Sequence, residues 1–147
     1  MEFELHPSLS RKIFIQDLPL CRVLLEDERH YPWIFLVPRR SEVKKMMDLS
    51  PQDQLQLMLE LDLAQKILWE CFTPDQVNVA AIGNKTPQLH VHVIARYSHD
   101  PAWPGTVWDH PIRSVYTLEE KKRTIQVLEN GFLTFKVPHK FSEHLSC

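Results

Sequence analysis

Apolar runs separated by short polar stretches predict a sheet of short strands. We expect strands over residues 21–25, 33–37, 77–82 and 89–96. The triplet 13–15 is apolar as well, and it forms either a further short strand or an apolar wall segment that is not a strand. The run 33–37 is apolar throughout and is stopped by Pro38, which is typical of a central strand covered on both faces. Because the first two strands follow one another closely, an antiparallel hairpin is expected.

Capping signals and helical spacing predict two helices. The first begins after Ser50, a good N-cap, and ends near Thr73. Its apolar residues cover more than one stripe, so it should pack on one side against the sheet and on the other against a partner chain or a second helix. The second helix opens with the capping box at 117–120 and reaches about Glu129, where the Asn130–Gly131 pair should stop it.

The order of these elements predicts an α+β fold in one domain that spans residues 1–147. Few residues are available for crossover helices between most strands, so the sheet, of about five strands, should be mainly antiparallel. The remaining residues 132–147 should form a packed tail that frays at its end.

Composition narrows the class of protein. The net charge of −2, with no block of like charges, argues against binding to nucleic acid. With 3 glycines in 147 residues, a glycine-rich phosphate loop is not expected. The 3 cysteines form no Cys-x-x-Cys pair, so neither a thiolate zinc site nor a disulfide framework is expected. No apolar run approaches the roughly 20 residues of a membrane span, and the first residues lack signal-peptide features, so we expect a cytoplasmic protein without membrane contact.

The candidate chemistry lies in residues 88–94, whose sequence is QLHVHVI. Side chains alternate between the two faces of a strand, so Gln88, His90 and His92 point to one side and the aliphatic residues to the other. Alternate residues of a strand are about 7 Å apart, which lets their side chains gather around one small anion such as a phosphate.

A neutral imidazole in such a group can act as a nucleophile. Histidine has an ordinary pKa of about 6.5, so the neutral ring is abundant at neutral pH. A backbone carbonyl can hold the proton on one ring nitrogen and leave the other lone pair free to attack an α-phosphorus. Water would then open the covalent nucleotidyl-histidine, while neighbouring polar groups hydrogen-bond the phosphoryl oxygens.

At these residues the chain resembles the histidine triad (HIT) superfamily, whose motif is His-φ-His-φ-His-φ-φ with φ apolar. Gln88 stands in place of the first histidine. The resemblance implies that His90 is the nucleophile and that His92 assists at the phosphate. Gln88 can hydrogen-bond an oxygen but cannot exchange a proton, so the source of the leaving-group proton is open. If a histidine at position 88 can supply that proton, Gln88→His should preserve activity or raise it on poor leaving groups.

The resemblance extends from about residue 21 to residue 108 and includes residues 36–39, LVPR. It implies that Asp27, with Glu26 as a competitor, holds the ribose hydroxyls, and that Asn84 contacts phosphate or ribose. The stretches 84–88 and 100–104 look like those of a bacterial subgroup described as similar to dinucleoside tetraphosphate hydrolases.

The resemblance therefore implies a nucleotide substrate, either a dinucleoside polyphosphate or a nucleoside phosphoramidate, and no cofactor. It also implies a homodimer with a sheet continuous across both chains. In the proline-tryptophan loop that follows the last strand, Trp103 and Trp108 could stack on a base, with Trp103 as the candidate ligand, or their rings could be buried structurally.

Three other interpretations of the histidine pair stay open. His90 and His92 could be the ordinary polar face of a surface strand. They could also be a His-x-His metal pair, with a third ligand drawn from His99, His110 or Asp100. Finally, the glutamine at the first position could mark a nucleotide-binding module without turnover.

Overall fold

A computed structural model describes residues 2–135 of the chain and shows a five-stranded sheet in the order β1-β2-β3-β5-β4, with every pair of neighbours antiparallel. The strands are β1 (Ile13–Asp17), β2 (Cys21–Leu25), β3 (Trp33–Pro38), β4 (Gln76–Ala80) and β5 (Val91–Arg96). The helices are α1 (Pro7–Ser10), a 3-10 turn (Met46–Asp48), α2 (Pro51–Phe72) and α3 (Leu118–Thr134). The predicted α+β fold with a mainly antiparallel sheet is confirmed.

Strand β3 is the middle strand of the sheet, and all six of its residues are buried, as its continuous apolar run predicted. The triplet 13–15 is a strand and not a wall: it opens β1, which pairs with β2 through a register shift between Phe14 and Gln16. The sheet thus begins at β1 and ends at β4, and the hairpin of β2 and β3 lies inside it.

The two faces of the sheet are covered by different parts of the chain. Helices α2 and α3 pack on one face over the larger core cluster, which includes Leu36, Val91 and Val93. The opposite face carries Trp33 and Phe35, and it is covered by the N-terminal segment and by the loop after β5. Alternate residues of one strand therefore face either the helix core or this second layer, as the pleat requires.

The structure of α3 decides between the two predicted partners of α2 and corrects the predicted end of α3. Helix α3 of the same chain covers the second side of α2, so part of the wide apolar surface of α2 is buried without a partner chain. The Asn130–Gly131 pair does not stop α3, which continues to Thr134. A Cβ at Gly131 would lie 2.8 Å from Cγ2 of Ile67, so this glycine permits the close approach of two helices and is not a left-handed cap.

Strand β5 begins at Val91, two residues later than predicted, because the N–H of Leu89 donates to the carbonyl of Val43 in a loop and not to a strand. Strand β4 ends at Ala80, two residues before its predicted end. The predicted tail falls partly in α3, and residues 136–147 lie outside the described residues. No helix within residues 2–135 is long and apolar enough to cross a membrane.

Candidate functional site

A cavity of about 740 Å³ lies on the face of the sheet that α2 and α3 leave uncovered. Its floor is formed by Trp33 and Phe35 of β3 with His90 and His92 at the start of β5. Its walls come from the N-terminal segment, the turn after β2, the segment 82–86 and the loop after β5. The predicted histidine pair therefore lies in a cavity and is not a solvated strand face.

The ring of His90 is fixed by the backbone. Its Nδ1 lies 2.7 Å from the carbonyl oxygen of Gln88. A carbonyl can only accept a hydrogen bond, so Nδ1 carries the proton and Nε2 carries the lone pair. This is the arrangement that the sequence predicted for a nucleophilic imidazole, and His90 lines the cavity.

The ring of His92 is fixed in the opposite tautomer. The indole Nε1 of Trp33 donates to its Nδ1 at 3.0 Å. An indole N–H can only donate, so Nδ1 of His92 holds the lone pair and Nε2 carries the proton. Burial, with smaller contributions from His90 and Lys12, lowers the pKa of His92 to about 3. His92 is thus a neutral hydrogen-bond donor over the whole physiological pH range.

The two rings act as a complementary pair. Their centroids are 5.1 Å apart, and Phe35 and Trp108 pack on His92 at 4.8 and 5.2 Å. One imidazole can offer an electron pair to phosphorus while the other donates to an oxygen that gains charge.

Gln88 is placed differently from its neighbours. Its Nε2 donates to the carbonyl of Glu4 and its Oε1 accepts from the N–H of His6, both at 2.8 Å. Both ends of its amide thus bind the N-terminal backbone, and Gln88 is not among the residues that line the cavity. The backbone carbonyl of Gln88 acts on the site through its bond to His90, whereas the side chain of Gln88 binds the N-terminal segment.

The predicted ribose and phosphate ligands lie at the rim. Asp27, Glu26 and Asn84 all line the cavity. Asp27 also accepts from the N–H of Tyr116 at 3.0 Å and pairs with Lys121 at 3.1 Å, which ties the turn after β2 to the start of α3. Its carboxylate retains acceptor capacity beyond these two contacts.

The two loop tryptophans differ in position. Trp108 lines the cavity, whereas Trp103 lies outside it and packs over Arg96, with the guanidinium carbon 5.7 Å from the ring centroid. Arg96 itself is buried and grips Asp100 through two hydrogen bonds of 2.8 and 3.0 Å. Burial raises the pKa of Asp100, but Arg96 and the backbone N–H groups of Tyr97 and Trp103 together outweigh it, and the pKa is lowered. Arg96 is therefore a buried structural cation, held in an ion pair with Asp100.

The third ligands considered for a metal pair are not gathered at the histidines. Asp100 is engaged by Arg96, and His99 packs against Tyr97 at 5.3 Å. Within residues 2–135, no three His, Cys, Asp or Glu side chains are grouped to hold a metal ion.

Several cavity residues carried no motif in the sequence. Lys12, Lys85 and Arg113 line the cavity. Four acidic residues line it as well (Glu26, Asp27, Glu28 and Asp109), and Lys12 pairs with Glu26. Lys12 reaches the cavity from the N-terminal segment and Arg113 from the loop after β5, so only tertiary structure brings them together. Trp33 looked like core in the sequence, and its role towards His92 could be found only from the sheet register.

The fold and the site together define a class of α+β proteins, in which the antiparallel sheet presents two histidines, separated by one residue, to a cavity on its open face. The chain belongs to the HIT family, since the HIT domain model matches residues 9–99. This membership supports a nucleotide-binding protein of the hydrolase or transferase kind.

Solved structures of bacterial histidine triad proteins resemble it along nearly their whole length. One from Bradyrhizobium japonicum is 39% identical with a TM-score of 0.87, covering 89% of this chain and 98% of its own. One from Sinorhizobium meliloti 1021 is 37% identical with a TM-score of 0.85, covering 88% and 97%. One from Marinobacter aquaeolei VT8 is 36% identical with a TM-score of 0.87, covering 91% and 98%. No curated protein sequence matches the chain significantly.

The bond between Trp33 and His92 can be tested by Trp33→Phe, which keeps an aromatic ring and removes the N–H. We expect the pKa of His92 to rise above about 3 and the Nδ1–H tautomer to become populated. Nitrogen NMR of labelled histidine, followed through a pH titration, measures both. Trp69→Phe is the control, because Trp69 is half exposed on α2.

Stability gives a second readout of the same change. Folding lowers the pKa of His92 from its ordinary 6.5, so the unfolded state binds the extra proton and the free energy of unfolding falls as pH drops from 6.5 towards 3. Trp33→Phe should reduce that dependence. An unchanged tautomer and an unchanged pKa in the variant would show that the indole does not control His92.

Proposed function

We propose that the protein cleaves nucleoside phosphates at the α-phosphorus through a covalent nucleotidyl-His90 intermediate. The substrate is a dinucleoside polyphosphate or, as second choice, a nucleoside phosphoramidate. The observation that carries this proposal is the pair of opposite tautomers, with the lone pair on Nε2 of His90 and the proton on Nε2 of His92 in one cavity. His90 attacks phosphorus, and His92 donates to a phosphoryl oxygen as charge shifts onto it.

The rest of the cavity fits the parts of such a substrate. Lys85 and Arg113 supply positive charge for the phosphate chain, whereas Lys12 is paired with Glu26. Asp27 and Asn84 at the rim are the proposed ligands of the ribose and the adjoining phosphate. Trp108 replaces Trp103 as the aromatic ring that stacks on a base, since it is the one that lines the cavity.

His90→Ala should abolish turnover, by a factor on the order of 10³ or more, while nucleotide binding persists. The measurement is a turnover screen over diadenosine polyphosphates and adenosine phosphoramidates, with label from an α-labelled substrate trapped on the wild-type protein. His99→Ala, outside the cavity, is the matched control.

Equal turnover in His90→Ala and the wild type would end the covalent mechanism. Binding without turnover by the wild type would instead identify a nucleotide-binding module. Activity that disappears on chelation and returns with a divalent metal would favour metal-dependent hydrolysis.

The placement of Gln88 reverses the expectation for Gln88→His. An imidazole cannot reproduce the paired bonds to Glu4 and His6, so the N-terminal wall of the cavity should loosen. We expect turnover to fall about tenfold or more, on good and poor leaving groups alike. Gln88→Glu, which keeps one acceptor for the N–H of His6, should retain more activity. A gain on poor leaving groups in Gln88→His would show that position 88 reaches the substrate.

We also propose that two copies associate through the β4 end of the sheet. The outer edge of β4 pairs with no other strand within residues 2–135, and Val79 beside it is 40% exposed. On α2, Leu55 and Met58 are exposed apolar residues that α3 does not cover. Val79→Lys should convert a dimer into monomers by light scattering, because a lysine at a strand edge opposes pairing. Val79→Thr keeps a β-branched residue and should remain dimeric; a monomeric wild type would refute the proposal.

A further inference from the structure

Three hydrogen-bonded side chains connect the cavity with the N-terminal segment. His6 Nδ1 lies 2.8 Å from Ser8 Oγ, and Ser8 Oγ lies 2.9 Å from Thr86 Oγ1. Ser8 and Thr86 line the same cavity as His90, whereas His6 stands behind them and does not line it. An imidazole, the side chain that exchanges protons near neutral pH, is therefore linked to the cavity through two hydroxyl groups.

The direction of these bonds follows from the backbone. The N–H of Ser8 donates to His6 Nδ1 at 3.2 Å. An N–H can only donate, so Nδ1 of His6 holds a lone pair, to which the hydroxyl of Ser8 can donate as well. Thr86 can then donate to Ser8, which leaves the lone pairs of Thr86 for a donor in the cavity. The chain is ordered to receive a proton from the cavity and deliver it to His6.

The bonds that dock the N-terminal segment on Gln88 do not involve the imidazole of His6, whose Nδ1 caps α1. Gln88 holds the segment through the backbone of Glu4 and His6 alone. A substitution of the His6 side chain therefore leaves both bonds to Gln88 available. The residue that replaces the first histidine of the motif thus docks a segment that carries another histidine.

We propose that His6, acting through Ser8 and Thr86, accepts the proton of the water that opens the nucleotidyl-His90 intermediate. This inference rests on the proposed function. In the first step a phosphate chain leaves as an anion and needs no proton. In the second step the water oxygen bonds to phosphorus, the bond from phosphorus to Nε2 of His90 breaks, and its electron pair returns to that nitrogen. The water proton passes to Thr86 as the Thr86 proton moves to Ser8 and the Ser8 proton to His6, which releases it to solvent.

The two steps can be separated by rapid quenching with α-radiolabelled diadenosine tetraphosphate, in alkaline denaturant that preserves the phosphorus–nitrogen bond. In His6→Ala, we expect label to reach His90 at the wild-type rate, within about threefold. Release of that label should slow about 10²-fold, the low end for general base catalysis, so labelled protein accumulates.

Ser8→Ala and Thr86→Val should produce the same split, and the double variant His6→Ala/Ser8→Ala should be no slower than either single variant. Ser10→Ala is the matched control: it removes a hydroxyl from the same short helix, bonded to the carbonyl of Pro7 and outside the cavity. Fluoride attacks phosphorus without giving up a proton, so it should release the label at similar rates from the wild type and from His6→Ala.

Two results would overturn the relay. One is a His6→Ala variant that releases label as fast as the wild type. The other is equal slowing of both steps in all three variants, which would make the chain a structural clasp of the segment. Failure of the wild type to acquire label on His90 is a different outcome, because it refutes the proposed function and the relay with it.

Discussion

The site depends on two histidines held in opposite tautomers by partners that cannot reverse their roles. The carbonyl of Gln88 can only accept, so His90 presents a lone pair; the indole of Trp33 can only donate, so His92 presents a proton. Neither arrangement requires a charged neighbour. In the proposed mechanism the two rings, whose centroids are 5.1 Å apart, divide the roles of nucleophile and hydrogen-bond donor.

The sheet supplies the rigidity that this division needs. Phe35 of β3 lies opposite His92, and Trp33 is the diagonal neighbour two residues away, within reach of a long side chain. Because β3 is buried on both faces, the indole cannot turn away without opening the second core layer, in which Trp33 packs with Leu24 and Ile94. The packing that stabilises the fold therefore also fixes the proton on His92, and burial keeps that ring neutral.

Sequence periodicity could predict the structural features that depend only on residues close together in the chain. The apolar run of β3, the Ser50 cap of α2 and the shared face of His90 and His92 are all set by neighbours within a few residues. The same reasoning failed where a partner is distant in sequence. Gly131 was predicted to end its helix. Its contact with Ile67, on another helix, leaves no pattern in the neighbouring sequence that could have indicated its actual role.

Long-range contacts also decide which residues of the site were missed or misplaced. Gln88 alternates with the histidines in the sequence, yet its amide binds backbone groups that lie 82 and 84 positions away. Trp108 packs against His92 in the cavity, whereas Trp103 packs over Arg96 outside it. Gln88 cannot exchange a proton, but its amide binds the N-terminal segment, which adds Ser8 and Lys12 to the cavity wall. The chemistry lost at position 88 is therefore to be sought among the residues that this segment brings in, because they depend on the glutamine for their place.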